Sequence, residues 1–443
     1  MRPKLSSRAP WRVSLVAIAL LAAAVPVAKA ATPEDDSEKK PYVVVLTDRS
    51  ANAKKVADDH GRRFGVKVKK RFDRIGGYAG EMTQKQAEKV ANEPGVVLAP
   101  DTEMSIVAES QVLSGSYNWG LDRIDARVSD PRFDFRYNYG KTGDDVTAYV
   151  LDTGVRTSHV DFGGRAVAGK DAIGTTNMSG TDCNGHGTHV AGIVGGSAYG
   201  VAKDVDIVSV RVLSCSGSGS TSQIVAGIDW VTNDHLTHPA RKLRPAVANM
   251  SLGGATNPAL DTAVRKSILD GKITYAIAAG NGNIFGNGVD ACNTSPARVA
   301  EALTVAATDR NDNRATFSNY GSCVDIYAPG AGIISAWGAG TTNTEWRELS
   351  GTSMAAPHVA GVAALLLQTV GTATPAQVSW TVRDLGTANV VKGTNTTGAK
   401  ISRAPWTDAE LTFLAQDPNS GLKKPAPTTP PPPPPRSCFI ICL

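Results

Sequence analysis

The chain has 443 residues, 42% of them hydrophobic and 20% charged, with a formal net charge of +5. This is a globular composition with room for two domains of ordinary size. The small net charge and the lack of a dense Lys/Arg block interleaved with aromatics exclude nucleic-acid binding as the main activity, and 44 glycines imply many tight turns and close backbone approaches.

The N-terminus reads as an address. Arg2, Lys4, Arg8 and Arg12 form a basic start, residues 13–25 (VSLVAIALLAAAV) an apolar run, and Ala28-Lys29-Ala30 a small-x-small cleavage site, a signal peptide over 1–30. The run is shorter than the ~20 residues that span a bilayer. Export without a stable membrane anchor is therefore expected. Export makes the six cysteines candidate disulfide partners. Cys183, Cys215, Cys292 and Cys323 lie inside the expected fold, and Cys438 and Cys442 lie in the tail; spacing alone leaves their pairing open.

After a polar leader (31–40), a small unit is expected over 41–108. YVVVLTD (42–48) reads as a strand, 53–64 as a helix, 66–72 and 78–82 as strands around a turn at Gly76-Gly77, 83–95 as a helix stopped by Pro94-Gly95, and 96–107 as a returning strand. The order β-α-β-β-α-β predicts a ferredoxin-like α+β unit. Over 112–400, apolar runs such as DVTAYVLDT (145–153), VDIVSVRVL (205–213), AVANMSLG (246–253) and TYAIAAGN (274–281) alternate with helical stretches such as 221–234 and 259–271. Strands apolar on both faces and separated by helices predict an α/β domain whose mainly parallel sheet is covered on both sides. Active sites of such sheets gather at the carboxyl ends of the strands. An extension over 401–424 leads to a polyproline spacer, PAPTTPPPPPP (425–435), within a tail over 425–443. The tail carries no prenylation box, since Ile440 stands fourth from the end.

Four motifs carry chemistry. LDTG (151–154) ends a strand with Asp152, a charge that costs energy there unless paired; a capping aspartate is the bland reading. NGHGTHVAG (184–192) opens a helix with His186 between two glycines. His186 and His189 stand three apart, whereas a zinc-binding HExxH helix sets its histidines four apart with a glutamate between, so a metal pair is disfavoured. AAGNGN (278–283) places Asn281 after a strand, where a turn-forming asparagine is the bland alternative. GTSMAAPHVAG (351–361) puts Ser353 at a helix mouth among small residues. Together they supply an acid, a base, an amide donor and a hydroxyl nucleophile. Serine attacks only when a base takes its proton, histidine does so near neutral pH, and a buried aspartate fixes the imidazole tautomer.

The order Asp152, His186, Ser353, with LDTGV, NGHGTHVAG, SLGG, AAGN and GTSMAAPHVAG, resembles the subtilisin-like serine proteases. DCNGHGTH, WGLDRIDA (119–126) and SNYGSC (318–323) resemble the proteinase K branch and its aqualysin-type secreted bacterial enzymes. The resemblance covers about 112–400, and 41–108 resemble that family's inhibitor propeptide. It implies a three-layer subtilisin-like domain behind a propeptide (31–111), and a secreted, monomeric endopeptidase made as a zymogen that removes its own propeptide near 108–112. Asp152, His186 and Ser353 would form the triad and Asn281 would donate to the oxyanion, with His358 structural. Protein and peptide substrates would bind as an added strand between Gly217-Ser218-Gly219 and Ser251-Leu252-Gly253-Gly254. Ala278-Ala279-Gly280 would complete a pocket favouring large apolar or aromatic side chains before the cut. The resemblance further implies the disulfides Cys183–Cys215 and Cys292–Cys323. It also implies structural Ca2+ at Asp325 with the backbone oxygens of Ala300 and Ala302, and a second site at Asp122 and Asp125, although residues 126–134 depart from that site's pattern. Two other classes compete: a silent binding protein that keeps the fold, disfavoured because all four positions are filled, and an acyl-ester hydrolase, whose serine would sit in GxSxG rather than GTSM.

Overall fold

The computed structural model describes residues 38–403 apart from 49–51, 107–108, 111–118, 127–135, 175–179, 243, 284–285 and 395–398. The signal peptide, the proline-rich tail and Cys438 and Cys442 therefore lie outside the described residues.

The small unit runs β1 (Lys40–Leu46), α1 (Ala53–Phe64), β2 (Lys67–Phe72), β3 (Gly77–Met82), α2 (Gln84–Ala91) and β4 (Val96–Pro100). Its antiparallel sheet has the order β2-β3-β1-β4, the ferredoxin-like arrangement expected. Thr83 caps α2 in a reciprocal box with Gln86. The helix stops at Ala91, short of the expected 95, because a residue before proline is driven out of helical φ/ψ and Pro94 follows Glu93. The run read as one strand over 96–107 is two. β4 closes the small sheet, and β5 (Glu103–Ile106) leaves it altogether; β6 (Glu109–Ser110) follows.

A short helix α3 (Trp119–Asp125) leads into the large unit: β7 (Thr147–Asp152), β8 (Ala166–Asp171), α4 (His186–Gly195), β9 (Asp206–Arg211), β10 (Ser218–Ser220), α5 (Thr221–Thr237), β11 (Ala246–Met250), β12 (Leu252–Ala255), α6 (Pro258–Gly271) and β13 (Thr274–Ala278). Then come β14 (Thr294–Ser295), β15 (Leu303–Thr308), β16 (Ile326–Pro329), β17 (Ile333–Ala336), β18 (Trp346–Ser350), α7 (Thr352–Thr369), α8 (Pro375–Leu385), β19 (Thr387–Ala388) and β20 (Lys400–Ile401). Nine strands form one sheet in the order β19-β20-β16-β15-β13-β11-β7-β9-β8, parallel except for the β19–β20 edge. Every residue of β7, β11, β13 and β15 is buried, which is what helices on both faces require. α4 and α7 pack together in one core layer, and α5 and α6 in the other.

The two units share a core. Phe72 and Ile75 of the small unit are fully buried in the same apolar cluster as Ile224, Ile228 and Leu260 of α5 and α6. Asp229 on α5 accepts the N–H groups of Arg74 (2.6 Å) and Ile75 (2.7 Å), and Lys266 donates to the carbonyl of Leu46 (3.0 Å). Two disulfides, Cys183–Cys215 and Cys292–Cys323, have Cα–Cα separations of 5.1 and 5.3 Å, the pairing the resemblance implies.

Candidate active site

The parallel order puts the carboxyl ends of β7, β11 and β13 at one edge of the sheet, and the candidate residues collect there. Asp152 ends β7, fully buried, and its Oδ1 lies 2.7 Å from Nδ1 of His186 at the first position of α4. The same oxygen accepts the N–H of Thr153 at 2.8 Å. The approach is close enough to need glycine: a Cβ at Gly187 would meet the carbonyl oxygen of Gly154 at 2.1 Å. His186 Nε2 is buried without a hydrogen-bond partner.

Ser353 stands in the first turn of α7, fully buried, and its Oγ lies 3.2 Å from the carbonyl of Ser251, just past β11. Ser251 Oγ in turn donates to the carbonyl of Ser353 at 2.8 Å, tying α7 to β11. Asn281 follows β13. Its Oδ1 accepts both the N–H (2.9 Å) and the hydroxyl (2.8 Å) of Thr352, so the amide is turned with Nδ2 away from α7's first residue. That Nδ2 is buried and has no partner. Buried polar atoms are nearly always satisfied, so an orphaned acceptor and an orphaned donor at one edge mark room for a bound group.

The other histidines nearby have different work. His189 Nε2 faces the carbonyls of Ile333 (3.1 Å) and Arg347 (3.0 Å), so it does not converge with His186 on a shared ligand, and burial pushes it down to about 3. His358 Nδ1 donates to the Met354 carbonyl at 2.8 Å, and burial pushes it to about 4. Both are neutral near pH 7, and His358 is held as a structural residue.

Between the expected flanking segments lies a strand of the chain itself. β5 pairs antiparallel with β10 (Ser105 opposite Ser218) and with β12 (Ser105 opposite Gly253, Ile106 opposite Leu252). Met104 is 1% exposed, and a Cβ on Gly254 would lie 2.6 Å from its Sδ. Beyond residues 107–108, β6 pairs with the end of β18, Glu109 opposite Ser350. Gly217 and Gly219 are buried on one edge, and Leu252 is buried on the other. Ala278, Ala279 and Gly280 form a wall that Asn319 braces. Its Nδ2 donates to the Ala279 carbonyl at 2.8 Å and its Oδ1 accepts from Gly282 and Val289.

The calcium ligands expected from the resemblance fare differently. Asp325 accepts from Arg383 Nη1 at 2.9 Å through Oδ1 and from the Thr304 N–H at 2.9 Å through Oδ2. It is the one carboxylate of the set with Ala300 and Ala302, and these residues would hold calcium only if the ion displaced the Arg383 guanidinium. Asp122 and Asp125 are buried on α3, and Asp125 Oδ2 accepts from Asn138; most of the segment expected to complete that site lies outside the described residues. Among the described residues no three His, Cys, Asp or Glu side chains converge as a metal site.

Sequence reasoning missed Thr352, Asn319 and Asp182. Each sits inside a quoted motif, GTSM, SNYGSC and DCNGHGTH, but nothing in the spacing says which partner each meets.

The sequence profile of the Subtilase family matches residues 143–403. An extracellular serine proteinase of Thermus sp. is 50% identical over 317 residues, 71% of this chain and 72% of that protein. The alkaline serine exoprotease A of Vibrio alginolyticus is 46% identical over 340 residues, 76% of this chain and 60% of that protein, so the chain spans somewhat under two thirds of this relative's length. A solved cold-adapted subtilisin-like serine proteinase is 49% identical with a TM-score of 0.59, over 66% of this chain and 99% of that one.

Proposed function

The chain belongs to the subtilase family, and from that premise we propose that it is a secreted serine endopeptidase made as a zymogen. Ser353 Oγ attacks the scissile carbonyl while His186 Nε2 takes its proton; Asp152 holds Nδ1–H and steadies the imidazolium. Asn281 Nδ2 and the N–H of Ser353 receive the oxyanion. Collapse expels the amine with the proton from His186 and leaves an acyl-serine, which water hydrolyses with His186 again as base. The observation that carries this reading is the paired, orphaned atoms: His186 Nε2 and Asn281 Nδ2 are both buried and unpartnered at the edge where Ser353 opens α7.

The small unit would act as propeptide and plug. β5 lies in the place a substrate strand would take, and main-chain pairing holds it. Its register counts out the cut. Ile106 pairs with Leu252, next to Ser251 whose carbonyl meets Ser353 Oγ, and Glu109 pairs with Ser350 on the far side, so the cut falls between these two pairings. The bond cleaved in maturation is Val107–Ala108. Small wall residues at Ala278–Gly280 favour large apolar or aromatic side chains before the cut, and Met104 over Gly254 favours an apolar residue three places earlier.

Express residues 31–443 as wild type and as Ser353→Ala, and follow chain mass and casein hydrolysis. The wild type sheds its small unit, starts at Ala108 and digests casein; Ser353→Ala stays full length and inert. Equal processing of both would assign trimming to another protease, and a wild type inert after the small unit is gone would sink the triad reading.

A further inference from the structure

The geometry points to Asp182 as the positioning residue that keeps the strand of Asp152 and the helix of His186 in register for proton transfer, a role that rests on the triad reading above. Asp182 is 4% exposed. Its Oδ1 accepts from Thr153 Oγ1 (2.9 Å), Asn184 N (3.1 Å) and Gly185 N (2.8 Å). Its Oδ2 accepts from Thr188 N (2.9 Å) and Thr188 Oγ1 (2.7 Å). These donors come from both sides of the triad bond: Thr153 follows Asp152, and the others flank His186.

The hydroxyls carry the argument. Because Thr153 gives its proton to Asp182, its lone pairs face the N–H of Gly187, 3.0 Å away, beside His186. Because Thr188 does the same, its lone pairs face the N–H of Arg156, 2.9 Å away, on the chain leaving β7. Apart from the His186–Asp152 bond itself, the hydrogen bonds described between 152–156 and 182–188 all run through these two hydroxyls, and Asp182 fixes the rotor of each. Gly338 closes over the carboxylate, since a Cβ there would lie 2.7 Å from Asp182 Oδ2 and 2.1 Å from Thr188 Oγ1.

Asparagine has the same shape but cannot replace it. Whichever way the amide turns, its NH2 faces a fixed backbone donor, Gly185 N–H on one side or Thr188 N–H on the other. The hydroxyl on that side, Thr153 or Thr188, loses its acceptor and is free to turn, and the Asp152–His186 geometry loosens. A misplacement of about 1 Å costs on the order of 10²-fold in turnover. The substrate edges β10 and β12 make no bond to Asp182, so binding should change little.

The test uses the full chain, matured, as wild type, Asp182→Asn and Thr188→Val, with the uncleaved Ser353→Ala chain as the inert control, each checked for folding by thermal melt. Kinetics on a peptide p-nitroanilide give kcat and KM, and phenylmethanesulfonyl fluoride reports how readily the serine is activated. Asp182→Asn should lose about 10–100-fold in both kcat and inactivation rate with KM within about twofold; Thr188→Val should lose roughly 3–10-fold in the same pattern. A folded Asp182→Asn enzyme with wild-type kcat and inactivation rate, or a loss confined to KM, overturns the proposal. If Asp182→Asn does not mature, wild-type kcat in Thr188→Val overturns it. A wild type that the reagent does not touch, or an active Ser353→Ala, overturns the triad reading instead, whatever the Asp182 variants do.

Discussion

At Asn281 one side-chain amide is aimed by two bonds from Thr352, and the aim decides what the residue can do. With Oδ1 engaged, Nδ2 is the end left to meet developing charge. Asn281→Leu keeps the volume and removes the donor. Its kcat should fall by about 10²–10³-fold with KM nearly unchanged, the magnitude measured for such a donor in subtilisin and carried over rather than derived from this geometry. Steady-state kinetics with a peptide substrate check it; an equal loss in KM would mean that Nδ2 binds the ground state. At this scale the sequence was legible in its reactive groups: Asp152, His186, Asn281 and Ser353 were all marked by strand ends and helix starts. Their supporting residues were not, because a threonine or aspartate inside a motif shows no partner until the chain has folded.

At the scale of elements, α6 shows how burial competes with a favourable helix position. Asp261 lies in the first turn of α6, where the helix dipole favours negative charge. Burial nevertheless pushes its carboxyl up to about 6, against the pull of Ser295, Arg298 and Arg265, and its Oδ1 has no partner. In the unfolded chain it titrates near ~3.9. Between about pH 4 and 6 the unfolded state therefore ionises first, and this group's contribution to stability falls as pH rises, by up to ~3 kcal/mol, levelling above 6. Asp261→Asn does not titrate. The melting temperature of the variant relative to wild type should climb from pH 4 to 6 and then stay level; a constant gap across that window would show that Asp261 is not the cause. The same competition explains why the run over 96–107 broke. Its apolar residues read as one strand, but β4 had a partner in β1 while β5 found better ones in β10 and β12.

At the scale of the whole molecule, the small and large units are joined by an apolar contact and by a strand threaded across the site. Ile75, fully buried between them, should contribute about 1.5–3 kcal/mol. In the Ser353→Ala chain, which keeps both units joined, Ile75→Asp should lower the midpoint at which the small unit becomes susceptible to an added protease while the large unit's melt stays in place. A coincident shift of both would mean that the two units unfold as one.

The sequence by itself determined the α/β layering, the ferredoxin-like unit and the four residues on which the proposed reaction rests. Hydrophobic period, turn residues and the chemistry of each side chain are local properties that survive without a fold. Only the tertiary structure decided that Arg383 holds Asp325, that β5 pairs between β10 and β12, and that Asp182 gathers five donors around the Asp152–His186 bond. Those are pairings between distant segments. They depend on which groups burial brings together without water, and no spacing along the chain encodes that.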